Sequence, residues 1–224
     1  MSAIVRRTME SSRFGPAESS NAVHYFVDRH LREGRADRTA VLYGERAISY
    51  GRVAELVNRA ANALRQAGIV AQDRVMLAPL DSPAFVAAFW GAIKLGAVPV
   101  PVSTLLTADD YEFVLADSGA RGLIFDARLA DRVTPALDRL AAARPPGRGR
   151  WGSLEAVLVA SAAFGCADAP GLTSDYPSFD QACAASPSTA ATAPTRPRDP
   201  AFWLYTSGST GRPKAAVHLH DHMR

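Results

Sequence analysis

The residues best equipped for chemistry in this 224-residue chain form one string, Tyr205-Thr206-Ser207-Gly208-Ser209-Thr210-Gly211-Arg212-Pro213-Lys214. Thr206, Ser207, Ser209 and Thr210 supply hydroxyls, Gly208 and Gly211 supply open backbone, and Lys214 supplies a cation. Glycine lets backbone N–H groups approach a ligand closely. Successive free N–H groups make a concave anion site, to which hydroxyls add further donors. A lysine contributes a mobile point charge for phosphate oxygens. The combination suits a polyphosphate. It is not a Walker A loop, because Gly208 and Gly211 are three apart and Pro213 precedes the lysine. A plain polar hairpin between two strands has a similar composition but not this order of residues.

Other candidates are weaker. His218, His220 and His222 form H-x-H-x-H and would share one face of a strand, yet no Cys, Asp or Glu set completes a metal pattern. The expectation is no metal site, with His218 ending a strand and His220 to His222 beginning a helix. Asp109 and Asp110 fall in a first helical turn, where they favour the helix dipole. Ser207 and Ser209 lack the G-x-S-x-G setting of a nucleophile. Cys166 and Cys183 have neither C-x-x-C spacing nor numbers for a disulfide framework, which fits a reducing, cytoplasmic setting.

Composition narrows the function classes further. Net charge is +3, and the arginines are scattered rather than clustered with aromatics, which argues against nucleic acid. Lys94 and Lys214 are the only lysines. Arg6, Arg7 and Arg13 have no apolar run behind them, so no signal peptide is read, and no apolar stretch is long enough to span a membrane.

The elements that must position the string follow from period and punctuation. Residues 1–20 read as a disordered terminus. Asn21 is placed to cap a helix over 21–33, with Val23, Phe26, Val27 and Leu31 on one face. Strands over 39–43 and 47–50 flank Gly44-Glu45-Arg46. Ser49 opens a long helix whose Val53, Leu56, Val57, Ala60, Ala61 and Leu64 recur at helical steps. A strand over 73–80 follows. Ser82-Pro83 starts a helix that Gly96 stops. Pro99 and Pro101 place the strand over 98–102 near a sheet edge. Further segments read as helix 107–116, strand 122–126, helix 130–143, strand 154–160, and strands 201–205 and 215–219. Strands alternating with helices predict an α/β fold with a doubly wound, largely parallel sheet. Stretches 145–150 and 184–200, rich in Pro, Gly, Ala and Ser, read as mobile surface linkers.

The string resembles the phosphate-binding signature of the adenylate-forming superfamily, which includes acyl- and aryl-CoA ligases. Val217-His218-Leu219-His220 and Asp199-Pro200-Ala201-Phe202-Trp203-Leu204-Tyr205 are most similar to benzoate-CoA ligases. So are Asp37-Arg38-Thr39-Ala40-Val41, Ser49-Tyr50-Gly51, the run from Gly91 to Val102, and Asp117-Ser118-Gly119-Ala120-Arg121. Ala215 departs from the pattern, which has glycine there, and alanine fits only if φ is negative.

The resemblance implies the N-terminal part of a large AMP-binding domain over 21–224. It also implies ATP with Mg²⁺ and coenzyme A as cosubstrates, and a benzoate-like carboxylate activated to an acyl-adenylate and then a thioester. Thr206, Ser207, Gly208, Ser209, Thr210, Gly211 and Lys214 would hold ATP phosphates, and His218 and His220 would lie near the acyl pocket. The family's catalytic lysine and small C-terminal domain lie past the last residue, so no catalytic residue and no activity are expected of these 224 residues alone. An adenylation domain loading a carrier protein, or a non-catalytic nucleotide-binding remnant, are the alternatives.

Overall fold

The computed structural model describes residues 20–79, 81–143, 154–161, 164, 175–206 and 212–223. The expectations for residues 1–19, for 145–150 and for Cys166 lie outside them.

The chain enters through one π-helical turn, His24–Asp28, which runs into α1 (Arg29–Arg32). A hairpin of β1 (Thr39–Tyr43) and β2 (Arg46–Ser49) leads to α2 (Tyr50–Gln66). Next come β3 (Arg74–Ala78), α3 (Pro83–Leu95), β4 (Val98–Pro101), α4 (Ala108–Ser118) and β5 (Gly122–Asp126). After these follow α5 (Ala130–Ala142), β6 (Ala156–Ala160), α6 (Phe179–Ala185), β7 (Pro200–Thr206) and β8 (Lys214–Leu219).

Local chemistry explains most of these boundaries. Ser49 accepts a hydrogen bond from the Arg52 N–H and so caps α2. Thr107 and Asp110 bond reciprocally as a capping box at the start of α4. Ser178 caps α6 through the Gln181 N–H. Gly96 ends α3 at φ +82°, a conformation costly for other residues, and a Cβ there would also meet Ala193.

Strands β3 to β6 form a parallel sheet in the order β4-β3-β5-β6. Their side chains alternate faces, as strand geometry requires. Val75, Leu77, Ile124 and Leu158 pack with α2, α3 and α6. Met76, Leu123, Phe125, Val157 and Val159 pack with α4 and α5 on the other face. Helices on both faces confirm the doubly wound arrangement. β4 is at an edge, as its prolines predict. Val98 and Val102 direct their N–H groups to Asp73 and Leu77 beside them. Positions 99 and 101 therefore face outward, where proline's missing donor removes nothing from the ladder.

Two expectations change. The helix over 21–33 is shorter and begins later, although Asn21 does bond its start: its Oδ1 accepts from Val23 N two positions on, as a cap does, while its amide donates to Ile93 O at 2.8 Å. Asn21 is fully buried, so both ends of its amide need partners. Only Val23 and Val27 of the expected apolar face are buried; Phe26 and Leu31 remain 38% and 39% exposed. Segment 184–200 lies on the surface but is strapped to α2 rather than standing off as a linker. Asn62 donates to the carbonyls of Pro187 and Thr189, both at 2.9 Å, Asn58 to Ser188, and Arg59 to Ala184 and Ser186. The Ala193 N–H donates to Lys94 O, and the Ser20 N–H to Thr195 O.

Candidate functional site

β7 and β8 pair antiparallel, with Phe202 opposite His218, Trp203 opposite Val217, Tyr205 opposite Ala215 and Thr206 opposite Lys214. Aromatic and β-branched residues favour this pleated, half-buried setting. Phe202 anchors the hairpin. Its ring lies 4.4 Å from the His218 ring in a parallel stack and 5.6 Å from Phe89 of α3 in an edge contact. β7 also runs alongside β4 without joining its ladder, consistent with the absent donors of Pro99 and Pro101.

Of the residues expected to hold phosphate, Thr206 and Lys214 are brought together. They are directly opposed at the ends of the two strands, and both are exposed. Opposed residues of an antiparallel pair project from the same face. A hydroxyl and an ammonium group thus stand side by side where the intervening segment begins and ends, a donor set suited to an anion. Ser207, Gly208, Ser209, Thr210 and Gly211 lie outside the described residues. Ala215, the departure from the family pattern, sits in β8 opposite Tyr205. The one non-glycine residue with positive φ among the described residues is Gln72, so alanine is compatible with the hairpin's geometry.

The histidines separate. His218 belongs to β8, whereas His220 and His222 lie in the 3₁₀ turn that follows. His220 is 1% exposed and accepts the Ala22 N–H at Nδ1, 3.2 Å away. His222 Nδ1 accepts from Leu219 N. The strand ends before His220, so the three do not share one face. No cluster of His, Cys, Asp or Glu able to hold a metal occurs among the described residues.

Two contacts at this hairpin were not legible from spacing. The Tyr205 hydroxyl donates to Asp117 Oδ2 at 2.6 Å. Burial, then the Asp117 hydrogen bond and charge, push the phenol well above its ordinary range. The Arg212 guanidinium lies over the Phe113 ring, 5.3 Å from its centroid. Tyr205 and Asp117 are 88 residues apart, and no local pattern pairs them.

Residues 27–224 match the family described as AMP-binding enzyme. A benzoate–CoA ligase of Thauera aromatica is 37% identical over 205 residues, covering 91% of this chain and 35% of its own length. The crystal structure of the anthranilate CoA ligase AuaEII in complex with anthranoyl-AMP superposes with a TM-score of 0.75 at 31% identity, covering 90% of this chain and 35% of that one. A benzoate CoA ligase from Burkholderia xenovorans LB400 gives a TM-score of 0.70 at 32% identity, with the same coverage. The chain thus spans about a third of the length of these relatives. Among the described residues no helix is long and apolar enough to cross a membrane.

Proposed function

Since this chain belongs to the AMP-binding enzyme family, we propose that it is the phosphate-gripping part of an ATP-dependent aryl-CoA ligase. The observation that carries this reading is the opposition of Thr206 and Lys214 at the two ends of a Ser/Gly/Thr segment.

The reaction has two steps. A carboxylate oxygen attacks the α-phosphorus of Mg-ATP, the bond to the β-phosphate oxygen breaks, and pyrophosphate leaves. The thiol of coenzyme A then attacks the acyl carbon, and AMP leaves with the bonding electron pair. The first step brings an anion to a polyanion, so charge stabilisation and positioning dominate its barrier. Thr206 and Lys214, with Ser207, Gly208, Ser209, Thr210 and Gly211 between them, would hold the β- and γ-phosphates. The metal is expected to arrive with the nucleotide, coordinated by phosphate oxygens. His218 is the residue we assign to the acyl side, with His220 holding the backbone behind it.

An aromatic acid is the substrate class that the 37% identical benzoate–CoA ligase supports. The test is acid-dependent pyrophosphate–ATP exchange by the complete polypeptide carrying this sequence, across benzoate, hydroxybenzoates, acetate and a long-chain fatty acid. Exchange highest with an aromatic acid is expected. A preference for fatty acids would reject the substrate class, and no exchange with any acid would reject the activity.

A further inference from the structure

Helix α4 reaches the hairpin on both sides of the phosphate-binding segment. Tyr205, next to the last residue of β7, bonds to Asp117. Arg212, two residues before β8, stacks on Phe113. Phe113 and Asp117 are four positions apart in α4, hence on one helix face and one turn from each other. A single contact would let the hairpin pivot; two contacts to one face fix both the separation and the tilt of the strand ends.

The helix is a firm post for this purpose. Its start is closed by the Thr107–Asp110 capping box. Tyr111, Val114 and Leu115 are buried against the sheet, and Arg139 of α5 bridges Asp109 and Glu112. The other anchor of the hairpin, Phe202 on Phe89, sits at the far end of β7. The phosphate end is steadied by α4.

We infer that Asp117 and Phe113 are positioning residues for the phosphate-binding segment, acting through Tyr205 and Arg212. This rests on the nucleotide reading proposed above. Asp117 is an acid one step removed from Thr206, where its charge opposes a polyanion. Its contribution is therefore as an acceptor for the Tyr205 hydroxyl, and asparagine, which keeps an acceptor oxygen without the charge, separates the two effects.

The test uses the intact chain with Tyr205→Phe, Asp117→Ala, Asp117→Asn, Phe113→Leu and the Tyr205→Phe/Asp117→Ala double variant. Three readouts are taken: MgATP affinity by calorimetry, thermal unfolding, and hydrogen exchange of backbone amides 206–214 without nucleotide. Tyr205→Phe and Asp117→Ala should each weaken MgATP binding by about three- to tenfold, the effect of one hydrogen bond. The double variant should be no weaker than either, Asp117→Asn should stay within about twofold of wild type, and Phe113→Leu should weaken binding while lowering the melting temperature only modestly, since the ring also packs on the core. Amides 206–214 should exchange faster in Tyr205→Phe and Asp117→Ala. Unchanged affinity and exchange would overturn the inference, as would a loss in Asp117→Asn equal to that in Asp117→Ala, or tighter binding in Asp117→Ala. If wild type does not bind MgATP, the nucleotide reading fails in this chain and exchange alone decides: faster amides support the positioning role, unchanged amides overturn it.

Discussion

Lys94 Nζ of α3 donates to Asp28 Oδ1 at 3.2 Å, and Asp28 Oδ2 pairs with His24 Nδ1 at 2.9 Å. The lysine side chain is 7% exposed and the aspartate 23%. Burial alone would raise the Asp28 carboxyl, but the His24 hydrogen bond and Lys94 outweigh it and hold the group below its ordinary 3.8. A depressed carboxylate stabilises the fold fully above its ordinary value, and that contribution is lost as the pH falls through the depressed one. Lys94→Met should therefore destabilise by about 1–3 kcal/mol at neutral pH, because it leaves a largely buried carboxylate held by the His24 hydrogen bond alone. Adding Asp28→Asn should recover part of that loss and flatten the acid limb below about pH 4. Urea unfolding from pH 3 to 7 measures both; a double variant as unstable as Lys94→Met would contradict the account.

Gly91 is the close-approach point of α2 and α3. A Cβ there would meet Ala60 Cβ at 2.7 Å and Ala61 N at 3.0 Å. Alanine gains roughly 1 kcal/mol of helix propensity over glycine. Overpacking against a backbone atom costs about 1–3 kcal/mol. Gly91→Ala should therefore be neutral to destabilising, and Gly91→Val more destabilising still. Their melting temperatures rank the outcome, and a stabilised Gly91→Val would show that the helices can separate freely.

Asn62 binds the strap through two carbonyls with one amide. Asn62→Ala should cost about 1–3 kcal/mol, since two part-buried carbonyls lose their shared donor, and should expose the segment around 187–189 to proteolysis. Asn62→Asp, which offers oxygens instead of N–H donors, should be at least as damaging. Limited proteolysis alongside thermal unfolding reads both, and an unchanged cleavage pattern in both variants would remove Asn62 from this role.

Under the proposed function, Lys214→Ala and Gly208→Val should slow adenylate formation in the complete polypeptide. Each removes a charge-assisted contact or inserts a side chain into the phosphate path, a loss of about 1–3 kcal/mol in transition-state stabilisation. Pyrophosphate–ATP exchange measures it. Rates equal to wild type in both variants would reject the cradle.

The sequence by itself determined what neighbours along the chain can decide. Ser49, Thr107 with Asp110, and Ser178 start helices through bonds to residues three positions on. Gly96 stops one, and the apolar alternation in β3, β5 and β6 already contains both faces of the sheet. The Thr206 to Lys214 string carries its own order, and the proposed phosphate site rests on it. Tertiary structure decided the rest, because those contacts join residues far apart or use backbone carbonyls. The strap over 184–200 looks like a linker because its partners for Asn58, Arg59 and Asn62 are carbonyl oxygens, which every residue has and no residue type announces. Asn21 reads as a cap, and its Oδ1 does accept the Val23 N–H, but only the fold lays Ile93 O beside its amide. Asp117 and Tyr205 are each unremarkable in sequence; only the packing of α4 against the β7–β8 hairpin brings the carboxylate to the hydroxyl.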